Sequence, residues 1–382
     1  MNSRFRRRTT PLAALLVCAV AVRCGGRHVN TPRIPATGIS WRVDGVMSIL
    51  PNTKFDTLDG VAFGGVSGLA YDAVSGELLG VCDDSRNSRV FRMKLVEDPL
   101  SVEPIGVIKL ETGGNAPPKL DAEGLVILPN GHLLISSEGI GNQEPRLPPA
   151  IVEYTREGRF VRQLPVPPKF VPTPSGQLTS GVRDNAAFES LTLTPDRRYL
   201  FTGTESALVQ DGEMASFERG ATSRLIEYER QGDSYVPVRE LAYEVDSIHG
   251  GPFNGGIAIN GLVELLAMSD RDLLALERSY VESAERRGKG TNRIRLYRVS
   301  LDKATDVSGL ASLRGQPITP AAKTLLFDLG SVPGLPQALS ALDNFEGLAL
   351  LGSRNGASSL LMVSDDNFSD TQRTWFVKLE WR

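Results

Sequence analysis

One cassette recurs five times along the chain, and that recurrence restricts the fold more than any other feature. Its clearest copy is Asp121–Glu138, DAEGLVILPNGHLLISSE. An acid and a Gly-Leu pair open an apolar run, Pro129-Asn130-Gly131 turns the chain, and a second apolar run ends on another acid. Two apolar runs joined by a short Pro-Asn-Gly turn specify a β-hairpin. Related copies begin at Ser67 (SGLAYDAVSGELLGVCDD), Glu189 (ESLTLTPDRRYLFTGTE), Asn260 (NGLVELLAMSDRDLLALE) and Glu346 (EGLALLGSRNGASSLLMVSDD). Each opens with Gly-Leu or Ser-Leu and closes on acids: Asp83/Asp84, Glu138, Glu205, Glu277 and Asp365/Asp366. A signature at both ends of every hairpin marks a repeat array with unequal loop insertions rather than unrelated hairpins.

Behind each hairpin come further alternating runs. Arg89–Leu95 and Val102–Leu110 follow the first, Ala150–Tyr154 and Phe160–Val166 the second. Arg224–Tyr228 and Tyr235–Val245 follow the third, Arg293–Val299 and Lys323–Leu329 the fourth. The fifth has only Thr374–Leu379, whereas Ile39–Leu50 precedes the first hairpin without a local partner. Four-stranded units in which the two ends of the chain complete one unit describe a closed ring without a free edge. The expected fold is therefore all-β, a β-propeller of five four-stranded blades over residues 39–382, with six blades the alternative. A sixth would have to lie in the long segments Pro167–Phe188, Ser206–Ser223, Arg278–Asn292 and Leu301–Pro320. Short helices are expected at Tyr280–Arg287 and Thr305–Leu313, the rest of these segments being loops of the kind that carry function.

The N-terminus reads as an export signal. Arg4, Arg6, Arg7 and Arg8 precede a short apolar core, Pro11–Val22, with an A-x-A cleavage site at Ala19–Ala21. Cleavage there leaves residues 22–38 as a linker, and the apolar run is too short for a permanent span. A lipidated Cys24, after removal of residues 1–23, is the alternative and the only membrane attachment expected; Arg23 disfavours it. Location is thus periplasmic or secreted. A composition of 41% hydrophobic and 23% charged residues suits a soluble domain, and a net charge of −3 without a basic stripe excludes nucleic acid as a partner. A monomer is expected. Cys82, within an apolar run, reads as a small core residue.

In a propeller blade the first strand lies nearest the axis and the second returns beside it. Glu123, Glu189 and Glu346, with Ser67 and Asn260 at equivalent positions, therefore surround one end of the channel. The closing acids Asp83, Asp84, Glu138, Glu205, Glu277, Asp365 and Asp366 lie on the same face. Such a ring is unfavourable unless compensated. Calcium would take these oxygens together with Asn185, Asn344 or Asn367. Arg86, Arg183, Arg278 and Arg373 could pair with them instead, or backbone N–H groups could hold them. His249, just before the fourth hairpin, is either an acid/base group at the same mouth or ordinary surface. His132, in a turn at the opposite end, is not catalytic. Nucleophile-elbow, P-loop, dinucleotide and zinc spacings are absent from the sequence.

DAEGLVILPNGHLLISSEG with PAIVEYTREGRF resembles the phytase-like proteins described as having esterase-like activity. So do AAFESLTLTPDRRYLFTGTES, SRLIEYER, LLALERSY with RIRLYRV, and NFEGLALL with LLMVSDDNF, covering roughly Gly60 to Leu379. The resemblance implies an exported β-propeller hydrolase acting on phosphate esters. The Asp-Ala-Xaa-Asp-Asp-Pro-Ala motif of alkaline propeller phytases is absent, which argues against phytate itself as the substrate. Two functions remain open. One is a calcium-dependent hydrolase of a small phosphate ester, with the mouth acids on metal, Arg86, Arg183 and Arg278 on phosphate, and His249 as acid/base. The other is a non-catalytic propeller that binds a ligand or protein at the same mouth.

Overall fold

The computed structural model describes residues 34–35, 38–251, 256–282, 290–339 and 341–382. The export signal, Cys24 and nearly all of the linker lie outside the described residues. The cassettes form antiparallel hairpins as expected, and each joins two more strands in a four-stranded sheet. Blade one comprises β2 (Val66–Asp72), β3 (Glu77–Cys82), β4 (Arg89–Glu97) and β5 (Leu100–Lys109). Blade two has β6 (Ala122–Ile127), β7 (Leu133–Ser137), β8 (Ala150–Tyr154) and β9 (Phe160–Gln163). Blade three has β10 (Thr192–Leu193), β11 (Tyr199–Gly203), β12 (Ala221–Gln231) and β13 (Ser234–Val245). Blade four has β14 (Ala258–Ala267), β15 (Asp272–Glu282), β16 (Gly290–Ser300) and β17 (Ala322–Asp328). Blade five is β18 (Asn344–Arg354), β19 (Ala357–Asp365), β20 (Thr374–Trp381) and, as its outer strand, β1 (Trp41–Ile49).

The chain ends close the ring. β1 runs antiparallel to β20 from Trp41 opposite Trp381 to Ile49 opposite Thr374. Trp41 then packs on Trp381 and Phe327, with ring centroids 4.8 and 4.7 Å apart, so the seam is pinned by aromatic burial. The inner strands touch in the cyclic order β18, β2, β6, β10, β14 and back to β18, which makes a five-bladed propeller. No sixth blade occurs among the described residues.

The core is divided by the blades. Five large apolar clusters each lie between two neighbours: Leu348 and Met362 against Leu276 and Leu296, for example, and Phe91 against Leu361 and Phe376. A strand sandwiched in this way is apolar on both faces. All nine positions of β19 are buried for that reason.

Both expected helices are corrected. Tyr280–Glu282 belongs to β15, whose pairing with β16 continues to Glu282 opposite Gly290; the remainder of that segment to residue 289 lies outside the described residues. Thr305–Leu313 is irregular: the Val307 N–H donates to Glu240 O, and Asp306 accepts from Ser308 N, so its backbone groups are used for packing and a turn. Pro167–Phe188 is loop with one 3₁₀ turn, Pro168–Phe170.

The recurring Gly-Leu now has a physical cause. A Cβ on Gly68 would lie 2.2 Å from Glu123 O, one on Gly124 2.4 Å from Leu191 N, and one on Gly347 2.6 Å from Ser67 O. With only five blades, inner strands approach backbone to backbone near the axis, and a side chain there cannot be accommodated. Gly124→Ala should lower stability by about 2 kcal/mol in denaturant titration. Gly212→Ala, where a Cβ meets open space, should change it by less than about 0.5 kcal/mol. Equal effects would refute close packing at the axis as the reason for the motif.

Candidate functional site: an acidic mouth at the propeller axis

Strand register gathers the two ends of each hairpin. Asn344 lies opposite Asp365, Val66 opposite Cys82, Ala122 opposite Ser137, and Phe188 opposite Thr204. Each inner strand therefore begins where its partner ends, and Asp83, Glu138, Glu205 and Asp365 reach the face from which Glu123, Glu189 and Glu346 start. In three blades the register breaks at that point, between Val66 and Gly68, Ala122 and Leu125, and Phe345 and Gly347. Ser67, Glu123 and Glu346 occupy these bulges, a device that re-aims a side chain beside a site.

The result is a dense buried set of acids. Glu123, Glu138, Glu189, Glu205, Glu346 and Asp365 are all buried, and Asp83 and Asp121 are half-buried beside them. Burial drives the carboxyl pKa values up, and mutual repulsion drives them further. Asp121 is pushed to about 8 by burial and by Asp83, with which it shares a hydrogen bond. Glu138 is raised to about 8 by burial and by Glu205. Glu123, Glu189 and Asp365 are raised well above the carboxylate range, burial leading in each and the neighbouring acids adding to it. Burial and the charge of Asp84 also raise Asp83, against the hydrogen bond from Asp121.

One cation lies inside this set among the described residues. Arg278 Nη1 is 2.8 Å from Glu346 Oε1 and Nη2 is 3.3 Å from Glu205 Oε1, and the guanidinium also donates to Asn344 Oδ1. Burial works against its charge, but Glu346, Glu205 and Glu189 outweigh that and hold its pKa above the ordinary value. Burial still leaves Glu346 at about 7 despite Arg278. Arg278 lies not in a loop, as its place at the head of the long segment Arg278–Asn292 implies, but in β15, opposite Gly261, and its guanidinium serves as counter-ion to the ring.

Asp83, Asp121 and Glu123 each present an oxygen within 4.8 Å of the others, beyond the direct reach of Arg278's ion pairs. Oxygens bound to one calcium ion at about 2.4 Å are up to about 5 Å apart, so this set fits a hard cation. Ser67 Oγ, in the bulge equivalent to those of Glu123 and Glu346, is buried without a hydrogen-bond partner, an orphan that a cation or its water would satisfy.

Several other predicted residues stand apart from this set. Asp84 is paired with Arg89 at 2.7 Å and accepts from Asn87; these bonds bring it below the usual range although burial opposes them. Asp366 accepts from Gly65 N, Phe368 N and Thr374 Oγ1, tying blade five to blade one. Glu277 is taken up by Tyr243 Oη and Asp246 N, from the end of blade three, and by Lys323 of its own blade. His249 meets Ser279 Oγ at 2.8 Å and Thr291 Oγ1 at 3.2 Å, beside Arg293 and Arg295, and burial and these cations lower its pKa. Arg86 is exposed, and its backbone N–H rather than its guanidinium meets Asp84. Arg373 stacks over Trp375, 5.6 Å from the ring centroid. Asn185 and Asn367 have left-handed backbones in turns, and Asn344 is engaged by Arg278 and Glu346. His132 pairs with Glu153 at 2.7 Å, away from the acids.

Three elements of the site carry no plain signal in the sequence. Asp121 stands at the head of the clearest cassette, next to the glutamate that was singled out. Glu264, hidden in the apolar run LVELL, is buried and accepts from the backbone N–H groups of Leu265, Leu348 and Leu191, linking three blades. A recess of about 180 Å³ also opens beside the mouth, lined by Glu138, Arg146, Leu147, Val182, Arg183 and Asp184, among others. Arg183 reaches it, as a sequence-predicted residue; Arg146 was not singled out.

A family model described as esterase-like activity of phytase matches residues 61–368, most of the propeller. The chain belongs to the phytase-like family. An uncharacterized secreted protein of Arthroderma benhamiae is 24% identical to this phytase-like chain over 218 residues, 50% of this chain and 40% of the relative, so the match spans well under half of that protein. Among solved structures, an endo-arabinase from Bacteroides thetaiotaomicron gives a TM-score of 0.42 at 11% identity, covering 88% of this chain and 96% of that one. A periplasmic gluconolactonase from Pseudomonas aeruginosa gives 0.30 at 12%, covering 82% and 84%. Neither likeness informs the activity.

The raised acids set a pH dependence. Each folded carboxyl keeps a proton that the unfolded chain has released above about pH 4–5, so the associated stability is full at low pH and lost as pH rises through the folded values. Those values are about 7 for Glu346 and about 8 for Glu138 and Asp121. In protein stripped of divalent cations the melting temperature should therefore fall between about pH 5 and about pH 9, by about 5 °C or more. A flat or rising profile in a thermal-shift series would contradict the buried acid ring. Removing its counter-ion with Arg278→Met should cost about 3–5 kcal/mol in the same protein, read by denaturant titration.

Proposed function

We propose that this phytase-like propeller is exported and hydrolyses a phosphate ester, with calcium held at its acidic mouth. The observation that carries the reading is the convergence of Asp83, Asp121 and Glu123, whose oxygens lie within 4.8 Å of one another, with no ion pair to a basic side chain among the described residues. Like charges so placed demand a cation or shared protons. Export is supported by the basic and apolar N-terminal segment and by a relative named as a secreted protein.

Asp83, Asp121 and Glu123 would hold the ion, with Ser67 Oγ as a further oxygen at the mouth. Calcium, when bound, supplies a Lewis acid that polarises a phosphoryl oxygen. The chain's own part is positioning and proton management. Arg278, occupied by Glu205, Glu346 and Asn344, keeps the ring in place rather than reaching for phosphate. Glu346 and Glu138, near 7 and 8, are carboxyls able to give or take a proton at neutral pH. Arg183 lines the recess and is available to an anionic substrate.

Calorimetric titration of calcium into metal-stripped protein, with p-nitrophenyl phosphate turnover followed in parallel, tests the proposal. Binding and calcium-dependent turnover are expected, with turnover reduced about 100-fold or more in Asp83→Asn and Asp121→Asn proteins that retain their far-ultraviolet spectrum. Calcium binding without turnover would favour the ligand-binding propeller instead. Failure of calcium to bind would overturn the metal site.

A further inference from the structure

The recess beside the mouth contains two arginines whose charges are not cancelled. Arg146 Nη1 and Nη2 donate to Thr173 O and Gly176 O, each at 2.8 Å. Arg183 Nε and Nη2 donate to Ala207 O at 3.1 Å and Gly212 O at 2.7 Å. Carbonyl acceptors fix a guanidinium without neutralising it, and five donors per arginine leave several unused. Among the described residues neither guanidinium forms an ion pair with a carboxylate. The contrast within the molecule is sharp: Arg89, Arg224, Arg239 and Arg278 all meet one.

The two acids that border the recess are each hydrogen-bonded to a group other than these arginines. The Glu138 carboxyl accepts from Ala187 N and is hydrogen-bonded to Glu189, toward the axis. Asp184 Oδ1 accepts from Gly141 N at 2.9 Å. Leu147, Leu178 and Val182 supply an apolar wall, which strengthens whatever charge pairing occurs inside.

We propose that this recess, between the loop that follows β7 and the Pro172–Asn185 loop, is an anion-binding subsite formed by Arg146 and Arg183. Its ligand is a compact oxyanion, phosphate or carboxylate, on the leaving group of the substrate. Two forked guanidiniums match the planar or tetrahedral oxygens of such groups. Glu138 borders both the recess and the acid ring, so an anion seated there lies next to the proposed cation site. The assignment of the ligand to a leaving group rests on the hydrolase reading; the binding of an anion does not.

Inorganic phosphate and malonate, titrated separately into protein stripped of divalent cations and then freed of chelator, test the subsite by calorimetry. At least one of them should bind, and Arg146→Gln and Arg183→Gln should each weaken it about tenfold or more. Arg146→Lys should retain part of the affinity, and Leu178→Trp should abolish binding by filling the recess while both arginines remain. A preference for phosphate identifies a phosphorylated leaving group, a preference for malonate a carboxylated one. Asp83→Asn and Asp121→Asn remove calcium-dependent turnover but line no part of the recess, so anion binding should persist in them, and loss of turnover there and loss of binding here are separate results. No binding of either probe to the metal-free wild type, or unchanged affinity in the double glutamine variant and in Leu178→Trp, would overturn the proposal.

Discussion

Repulsion among carboxyl groups collected at the axis is the constraint around which this molecule is arranged. A five-bladed ring brings its inner strands so close that glycine backbones touch, and the acids flanking those glycines have nowhere to spread. Arg278 relieves Glu205 and Glu346, and Glu264 is satisfied by backbone N–H groups from three blades. Among the described residues, no cation pairs with Asp83, Asp121 or Glu123; the first two are hydrogen-bonded to each other, and all three are raised. Carboxyl groups raised by burial and by one another are the kind of arrangement on which the proposed cation site rests.

The same geometry explains why the acids vary in fate from blade to blade. Bulges in blades one, two and five turn Ser67, Glu123 and Glu346 toward the centre. In blade four the register break is displaced to between Leu262 and Glu264, and Asn260 stands in place of a glutamate. Its closing acid, Glu277, is drawn to Lys323 and Tyr243 instead, and the next residue, Arg278, supplies the positive charge. The mouth is therefore asymmetric: cationic support enters from blade four, while the unrelieved acids lie on the side of blades one and two.

The architecture was largely legible in the sequence because each level agreed. The cassette set the hairpins, Ala150–Tyr154 is a strand with the expected bounds, and the unpartnered run Ile39–Leu50 supplies β1 to the last blade. The site was legible only in part. Which acids end on the axis follows from the period of the blades, but which of them find a partner depends on contacts between distant segments. Asp84 and Glu277 have the same pattern as Asp83 and Glu138, yet Arg89 and Lys323 capture them. Glu264 reads as an interruption of an apolar run, since its hydrogen-bond donors belong to other blades. Arg146 and Arg183 meet only because two long loops fold over the same recess, and nothing local to either announces it. Tyr280–Glu282 and Thr305–Leu313 fail as helices for the same reason: β16 and Glu240 claim their backbones.

Anomalous diffraction from crystals grown with calcium tests the central claim most directly. A peak coordinated by Asp83, Asp121 and Glu123 is expected, with Arg278 still paired to Glu205 and Glu346. An occupied Asp83–Asp121 hydrogen bond with no anomalous density at that point, in crystals saturated with calcium, would contradict it and leave the acid ring held by protons alone.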